Sequence, residues 1–146
     1  MSEAVVDGQE RWERGRAVLD AVYGAGFSDR YPPYPQVKPY SRQTVENLFG
    51  EVWTRPGLPI RDRRLLVLGA VSMLGRADLV KIQVLGGLRS GDFTEEQLRE
   101  TVLQLAFYCG WPNATAFDNG LNAALADYAA ETASGGDRTT DSGDSR

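Results

Sequence analysis

The sequence predicts an all-α protein of about six helices, and three observations support this. Apolar residues recur at helical spacing in separate stretches, and the alternation typical of strands is absent. Glycines and prolines mark the ends of these stretches. The composition, 42% hydrophobic and 25% charged, is that of a globular protein, and 146 residues are enough to bury a core.

Two helices are predicted in the first half of the chain, separated by a proline-rich connector. The first, "ERWERGRAVLDAVYGAG", ends at Gly24. The connector "FSDRYPPYPQVKPY" has four prolines, which remove amide donors, so an extended segment is expected. Ser41 is the predicted N-cap of the second helix. The apolar residues expected to face the core of the two helices are Trp12, Leu19, Val22 and Tyr23, then Val45, Leu48, Phe49 and Val52.

Four more helices are predicted in the second half. The helix that begins at "IRDRR" is apolar nearly all round from Leu65 to Leu74, so we expect neighbouring helices or other subunits to enclose it. A capping box of Thr94 with Gln97 starts a later helix, and Trp111–Pro112 starts the last one. The apolar stripes of the two helices between are Val80, Val84 and Leu88, then Leu98, Val102, Leu105 and Cys109.

Composition also divides the chain. Residues 132–146 have almost no apolar side chains and are predicted to be disordered, as are residues 1–8, which leaves 9–131 as a single helical domain.

The net charge of −4 argues against a nucleic-acid partner. Neither a signal peptide nor an apolar run of membrane-spanning length is recognisable, so a cytoplasmic protein without a membrane partner is expected.

Histidine is absent, and Cys109 is the single cysteine. The chain therefore lacks the usual general base, the Ser–His and Cys–His nucleophile pairs, and the usual metal ligands. We predict no metal and no cofactor. Cys109 is expected to be a buried structural thiol, because the C-terminal end of a helix raises a thiol pKa.

Polar residues in the predicted helices allow two interpretations each. The stripe formed by Gln97, Thr101, Gln104 and Tyr108 is either a solvated face or the wall of a pocket, with Gln104 and Tyr108 as neutral donors. Gln83 either satisfies a neighbouring backbone group or faces a substrate.

An arginine cluster lies near the start of the third helix: Arg55, Arg61, Arg63 and Arg64. Cations at a helix N-terminus oppose the helix dipole. They form either a solvated helix start or a site for a carboxylate, which could come from Glu51, from Asp62 or from an anionic ligand.

Several separated motifs resemble the 4-carboxymuconolactone decarboxylases over residues 49–117. They are "VWTRPGL", the charged opening "RDRRLL", and "FTEEQLRETVLQLAFYCGWPNA". The resemblance implies an alkylhydroperoxidase-D-like helical subunit in a homo-oligomer, a trimer or hexamer, with active sites near subunit contacts. It also places the turn at Trp53–Leu58 beside the pocket.

Two departures from this family change the expected chemistry. The redox branch of the superfamily needs a CxxC pair, and the matching positions are Arg76 and Leu79, so peroxide reduction is excluded. The decarboxylase branch usually has histidines at the positions of Gln83 and Ala116, whereas glutamine is normal at Gln104. An amide cannot transfer a proton under ordinary conditions, but it can donate a hydrogen bond to an oxyanion.

The resulting prediction is a cofactor-independent, decarboxylase-like enzyme that stabilises an enolate of a cyclic carbonyl or lactone-type metabolite. Decarboxylation, isomerisation or cyclisation would fit, in a reaction changed from the family standard. Genuine 4-carboxymuconolactone decarboxylation and a non-catalytic binding or scaffold role remain alternatives. The predicted catalytic residues are Gln83, Tyr108 and Glu51; the predicted substrate-binding residues are Trp53, Arg55, Arg63, Gln104 and Trp111.

Overall fold

The computed structural model describes residues 3–136, and within that range it is all-helical, as predicted. Six α-helices are present in the described residues: α1 (Glu3–Tyr23), α2 (Pro39–Arg42), α3 (Ile60–Ser72), α4 (Ala77–Arg89), α5 (Glu95–Cys109) and α6 (Trp111–Gly136). A 3₁₀ turn, Phe27–Arg30, follows α1, and a π-helix, Gln43–Val52, follows α2. None of the described helices is long and apolar enough to cross a membrane.

The helical boundaries extend beyond the predicted ones. α1 begins at Glu3 and α6 continues to Gly136, so the described parts of the two termini expected to be disordered, residues 3–8 and 132–136, are helical. Residues 1–2 and 137–146 lie outside the described range. The chain divides into two compact units, unit 1 up to Val67 and unit 2 from Leu68 onward. The single domain predicted for 9–131 stays a prediction.

Unit 1 is built on the packing of α1 against the π-helix. The two elements approach closely at Gly15, where an added Cβ would lie 2.9 Å from Cγ1 of Val45 and would clash with its carbonyl oxygen. A ring stack of Phe49 and Trp53, with centroids 5.6 Å apart, closes the core. The buried apolar residues of this core are Trp12, Leu19, Val22, Val45, Phe49 and Trp53.

The π-helix explains two errors in the predicted core. Leu48 and Val52 are exposed, whereas Val45, Phe49 and Trp53 face inward at intervals of four. A π-helix has a wider turn than an α-helix, so residues at i, i+4 and i+8 stay on one face.

Ser41 is not the N-cap that the sequence predicted. It lies inside the short helix α2, whose N-cap is Lys38 with Pro39 at the first helical position. Proline fixes φ at a helical value and has no amide proton to lose, so the helix starts at Pro39 and its N-cap lies three residues before Ser41.

Unit 1 also buries a charge that the sequence did not indicate. Glu46, whose side chain is 5% exposed, lies between Arg11, at 3.6 Å, and Arg42, at 3.5 Å. Two cations on neighbouring elements therefore offset the cost of burying one carboxylate.

In unit 2, α6 packs against both α4 and α5. Gly120 allows α6 to approach α4, because a Cβ there would lie 2.5 Å from the carbonyl oxygen of Ala77. Two ion pairs join the same helices, Lys81 to Asp127 at 2.6 Å and Arg89 to Glu131 at 2.9 Å. The buried apolar residues of the three helices are Val80, Val84, Leu88, Leu98, Ala106, Ala114, Phe117, Leu121 and Ala124.

The capping box at the start of α5 is confirmed. The amide of Gln97 donates to the Thr94 hydroxyl at 3.2 Å, and the Thr94 amide donates to the Gln97 side chain at 3.1 Å. The apolar stripe predicted for α5 is only partly correct, since Leu98 is buried but Val102 and Leu105 are half-buried. Cys109 is also half-buried rather than buried.

The predicted enclosure of the third helix is not provided within one chain. Leu66 on α3, and Met73 and Leu74 in the turn that follows, are each about 60% exposed, at 63%, 59% and 65%. Large apolar side chains in contiguous exposed positions are typical of protein interfaces.

Candidate active site

The turn that joins the π-helix to α3 is held by one arginine. Arg63 donates from Nη2 to the carbonyl oxygen of Arg55 at 2.8 Å and from Nε to that of Leu58 at 3.1 Å. These bonds engage the Arg63 guanidinium with the backbone of the turn. The Arg55 side chain is exposed and makes no ion pair with any residue in the described range, so it remains available to an anion.

The ring of Trp53 belongs to the core of unit 1. It is 5% exposed and lies nearly parallel to Phe49, with an interplanar angle of 15°. This packing anchors the start of the turn that carries Arg55. The substrate-binding role predicted for Trp53 stays a prediction.

The two carboxylates that the sequence offers as partners of the arginine cluster form ion pairs with different arginines. Asp62 pairs with Arg61 at 3.2 Å, as the sequence allowed. Glu51 instead pairs with Arg11 of α1 at 3.7 Å, and its side chain is 52% exposed. Glu51 is thus accessible and is held in place by a cation from another helix.

One of the predicted amides and one of the clustered arginines are buried, each in a different unit. Gln83 in unit 2, on the inward face of α4 between Val80 and Val84, is 6% exposed, and Arg64 in unit 1, on α3, is 0% exposed. The interpretation of the arginine cluster as a solvated helix start is therefore wrong for Arg64. Arg64 interacts with other groups of the protein, which offsets the cost of burying its charge.

The sequence contains a signal for the burial of Arg64. Arg64 lies four residues before Leu68, which is also fully buried, so both occupy the inward face of α3. The spacing of four residues from Leu68 back to Arg64 therefore predicts that Arg64 faces inward and that Arg63 does not.

The polar stripe on α5 is exposed in its greater part. The Thr101 hydroxyl donates to the carbonyl oxygen of Gln97 at 2.9 Å, so this hydrogen bond lies within α5. Gln104 is exposed, and Tyr108 is 78% exposed. Unit 2 therefore does not bring Tyr108 together with the buried Gln83 in one enclosed site.

A cavity of about 400 Å³ lies between α5 and α6, within the range of small-molecule pockets. One of its walls is Trp111, which meets Phe107 edge-to-face at 5.5 Å. Arg99 lies at its polar end, bonded to Glu95 at 3.0 Å and Asn122 at 3.2 Å. The lining residues are Arg99, Val102, Leu103, Ala106, Trp111, Ala114, Thr115 and Asp118. Of the predicted site residues, Trp111 alone is in this lining.

Among the side chains that the structure describes, no group of three or more His, Cys, Asp or Glu residues is placed to hold a metal ion.

Residues 39–126, more than half of the chain, match the carboxymuconolactone decarboxylase family, and the chain belongs to that family. It is 35% identical over 68 residues to 4-carboxymuconolactone decarboxylase of Acinetobacter baylyi, which covers 47% of this chain and 50% of the relative. It is 36% identical over 81 residues to nitrosuccinic acid decarboxylase of Metarhizium robertsii, covering 54% of each chain. The matches span about half the length of each relative.

Both relatives are decarboxylases, and their names give different substrates. Family membership confirms the resemblance seen in the motifs. The matched range contains α3, α4 and α5 entirely, together with the buried Arg64 and Gln83.

Proposed function

We propose that this protein is a cofactor-independent decarboxylase-like enzyme that uses neutral donors where its family uses a histidine. The observation that carries the proposal is Gln83, an amide buried on the inward face of α4 in a chain without histidine. Hydrogen bonds from buried neutral donors stabilise an oxyanion strongly, because water does not compete with them.

The reaction that suits such a site breaks the bond between a carbon and its carboxylate. The electron pair of that bond moves into an adjacent electron-withdrawing group, giving an enolate or an equivalent anion, and carbon dioxide leaves. A proton then adds to the carbon. Gln83 would donate its hydrogen bond to the anionic oxygen, while Tyr108 would supply the proton; Glu51, ion-paired with Arg11, would do so only after taking up a proton itself.

Arg55 would hold the negative charge of the substrate, because its guanidinium is exposed at the turn. Arginine suits this role because its planar fork donates two parallel bonds to a carboxylate. Arg63 would act through the turn that it fixes.

The substrate class follows from the same chemistry. One relative is named for a carboxylated lactone and the other for a nitro-substituted dicarboxylic acid, and in both an electron-withdrawing group can accept the electron pair. We therefore infer a small carboxylic acid activated by a carbonyl, lactone or similar group. Isomerisation or cyclisation through the same anion remains within the proposal.

A second copy of the chain would complete the site. Tyr108 is 78% exposed and Phe107 is 77% exposed, yet a phenol donor acts on a substrate only where water is excluded. A homo-oligomer, a trimer or hexamer, would cover this face and the exposed apolar residues at Leu66, Met73 and Leu74.

The test is release of carbon dioxide by the purified protein from 4-carboxymuconolactone and from nitrosuccinic acid, measured separately after dialysis against a chelator. Turnover of the lactone would identify the family's standard reaction. Turnover of nitrosuccinic acid alone would support a changed reaction. If both acids bind but neither releases carbon dioxide above background, decarboxylation of this substrate class is contradicted, and a binding role is favoured.

A further inference from the structure

A second cavity lies in unit 1, in the connector between α1 and the π-helix. Its volume is about 370 Å³, large enough for a small metabolite. The lining residues are Arg30, Tyr31, Pro32, Gln36, Lys38 and Ser41. All of them except Ser41 precede residues 39–126, so the reaction of the family does not account for this cavity.

Two cations of this lining have no carboxylate partner in the part of the chain that the structure describes. Arg30 lies over the ring of Phe27, with its guanidinium carbon 3.4 Å from the centroid, and its Nε donates to the Phe27 carbonyl oxygen at 3.1 Å. These contacts fix the guanidinium, and its two terminal nitrogens form no hydrogen bond with another described residue. Among the residues that the structure describes, neither Arg30 nor Lys38 forms an ion pair with Asp or Glu.

The nearby acidic side chains have other partners. Asp29 accepts a hydrogen bond from Arg16 at 2.9 Å, and Asp20 accepts bonds from the amide and the hydroxyl of Ser28 at 2.7 and 3.1 Å. A pair of uncompensated cations beside one cavity is unusual in a chain with a net charge of −4. It favours an anionic ligand.

The neutral lining adds hydrogen-bond donors and a flat apolar wall. Burial raises the pKa of the Tyr31 phenol, a rise that nearby Arg30 partly opposes, so Tyr31 keeps its proton at neutral pH. The Tyr31 ring is held edge-to-face by Trp12 at 6.2 Å. Pro32 supplies apolar surface, while Gln36 and Ser41 carry an amide and a hydroxyl.

The backbone around the cavity is fixed by short-range bonds. The amide of Gln36 donates to the carbonyl oxygen of Pro33 at 3.0 Å, and that of Val37 donates to Pro35 at 2.8 Å. Prolines restrict the remaining torsions. A site fixed before binding loses less conformational entropy when a ligand arrives.

The geometry points to this cavity as a binding site for a small organic carboxylate with a planar or cyclic body, its carboxylate held by Arg30 and Lys38. Tyr31 and Pro32 would contact the body of the ligand. The site is independent of the proposed decarboxylase chemistry, because it shares no residue with the candidate active site.

The experiment is a titration of the ¹⁵N-labelled full chain with benzoate, and separately with inorganic phosphate, followed by TROSY spectra. We expect benzoate to shift the amides of residues 30–41 saturably and phosphate to bind more weakly. Loss of a charge-assisted bond in Lys38→Gln should weaken benzoate binding about tenfold or more. Lys81→Gln, which removes the same charge in unit 2, is the matched control and should bind as the wild type does.

Arg30→Gln should weaken binding similarly, and Gln83→Ala should leave it unchanged. Three results would overturn the inference: no saturable shift with benzoate, saturation with phosphate alone, or shifts confined to residues outside 30–41. Equal benzoate affinity in Lys38→Gln and the wild type would also overturn it, since the Lys38 side chain forms no ion pair or hydrogen bond with another described residue and its loss should not affect folding. If the protein binds benzoate at residues 30–41 but shows no decarboxylase activity, the binding inference stands and the proposed function fails.

Discussion

Arg63 and Arg55 are joined by a hydrogen bond of 2.8 Å from a guanidinium to a backbone oxygen, so one arginine of the predicted site positions the other. Arg63 also donates to the carbonyl oxygen of Leu58 at 3.1 Å. The turn is therefore closed by the first residues of the helix that it precedes.

This relationship predicts different effects for the two arginines. Arg63→Gln should lower the free energy of unfolding by about 0.5–1.5 kcal/mol, because two hydrogen bonds to the turn are lost. Arg55→Gln, the control, should change it by less than about 0.5 kcal/mol, because the side chain is exposed. Urea denaturation measures both. Equal stability of the two variants would show that Arg63 does not fix the turn.

The approach of α6 to α4 depends on Gly120. Gly120→Ala should destabilise the protein by about 1–3 kcal/mol, because the added methyl group would meet the backbone oxygen of Ala77 at 2.5 Å and neither helix can shift freely. Gly57→Ala is the control, since an added Cβ there meets nothing within 4 Å. The midpoints of thermal unfolding of the two variants are compared with that of the wild type. An unchanged midpoint for Gly120→Ala would contradict the close packing of α6 on α4.

The pair formed by Arg89 and Glu131 predicts a pH-dependent contribution to stability. The hydrogen bond from Arg89 lowers the pKa of Glu131 below its ordinary value of about 4.5. A carboxylate with a lowered pKa stabilises the fold above that ordinary value, and the effect is lost as the pH falls through the folded pKa.

Glu131→Gln should therefore cost about 0.2–1 kcal/mol at pH 7, the range for exposed ion pairs, and less at pH 3. Denaturant unfolding at the two pH values gives the comparison. If Glu131→Gln lowered the free energy of unfolding equally at pH 7 and pH 3, the ion pair with Arg89 would not be the source of the lost stability.

The exposed aromatic residues of α5 predict assembly. Light scattering should give the wild type a mass that is a multiple of 16.0 kDa. Phe107→Ser should shift the mass toward the monomer, because Phe107 is 77% exposed and would be buried only by another chain. Tyr40→Ser removes another exposed aromatic residue and should leave the mass unchanged. A wild type of 16 kDa would remove the basis for a site completed by a partner subunit.

The sequence predicted local features well where neighbouring residues determine them. The capping box of Thr94 and Gln97 depends on residues three apart, and it is present. Helical spacing likewise identified Trp12 and Leu19 as core residues.

Features that depend on contacts between elements could not be predicted in the same way. The π-helix around Val45 forms where Gly15 lets α1 pack closely, and neither residue signals this alone. The burial of Arg64 next to a half-buried Arg63 depends on which face of α3 turns inward. The exposure of Tyr108 likewise reflects how α5 packs on α6 rather than its own stripe pattern.

The candidate site was predicted unevenly for the same reason. The importance of Gln83 came from the residue that the family usually has at that position, and its burial agrees with an inward role. Arg63 was predicted to bind the substrate because the family resemblance places its turn beside the pocket, whereas its bonds to the backbone of Arg55 and Leu58 show a structural use.

The central claim is that Gln83 supplies a neutral hydrogen bond to an oxyanion during decarboxylation, and the direct measurement is carbon dioxide release by Gln83→Ala. With whichever of the two acids the wild type consumes, kcat should fall by about 10²–10³ while the oligomer mass stays unchanged. Tyr108→Phe, measured alongside, should also reduce kcat if Tyr108 supplies the proton. A Gln83→Ala variant that is folded and turns over at the wild-type rate would contradict the account.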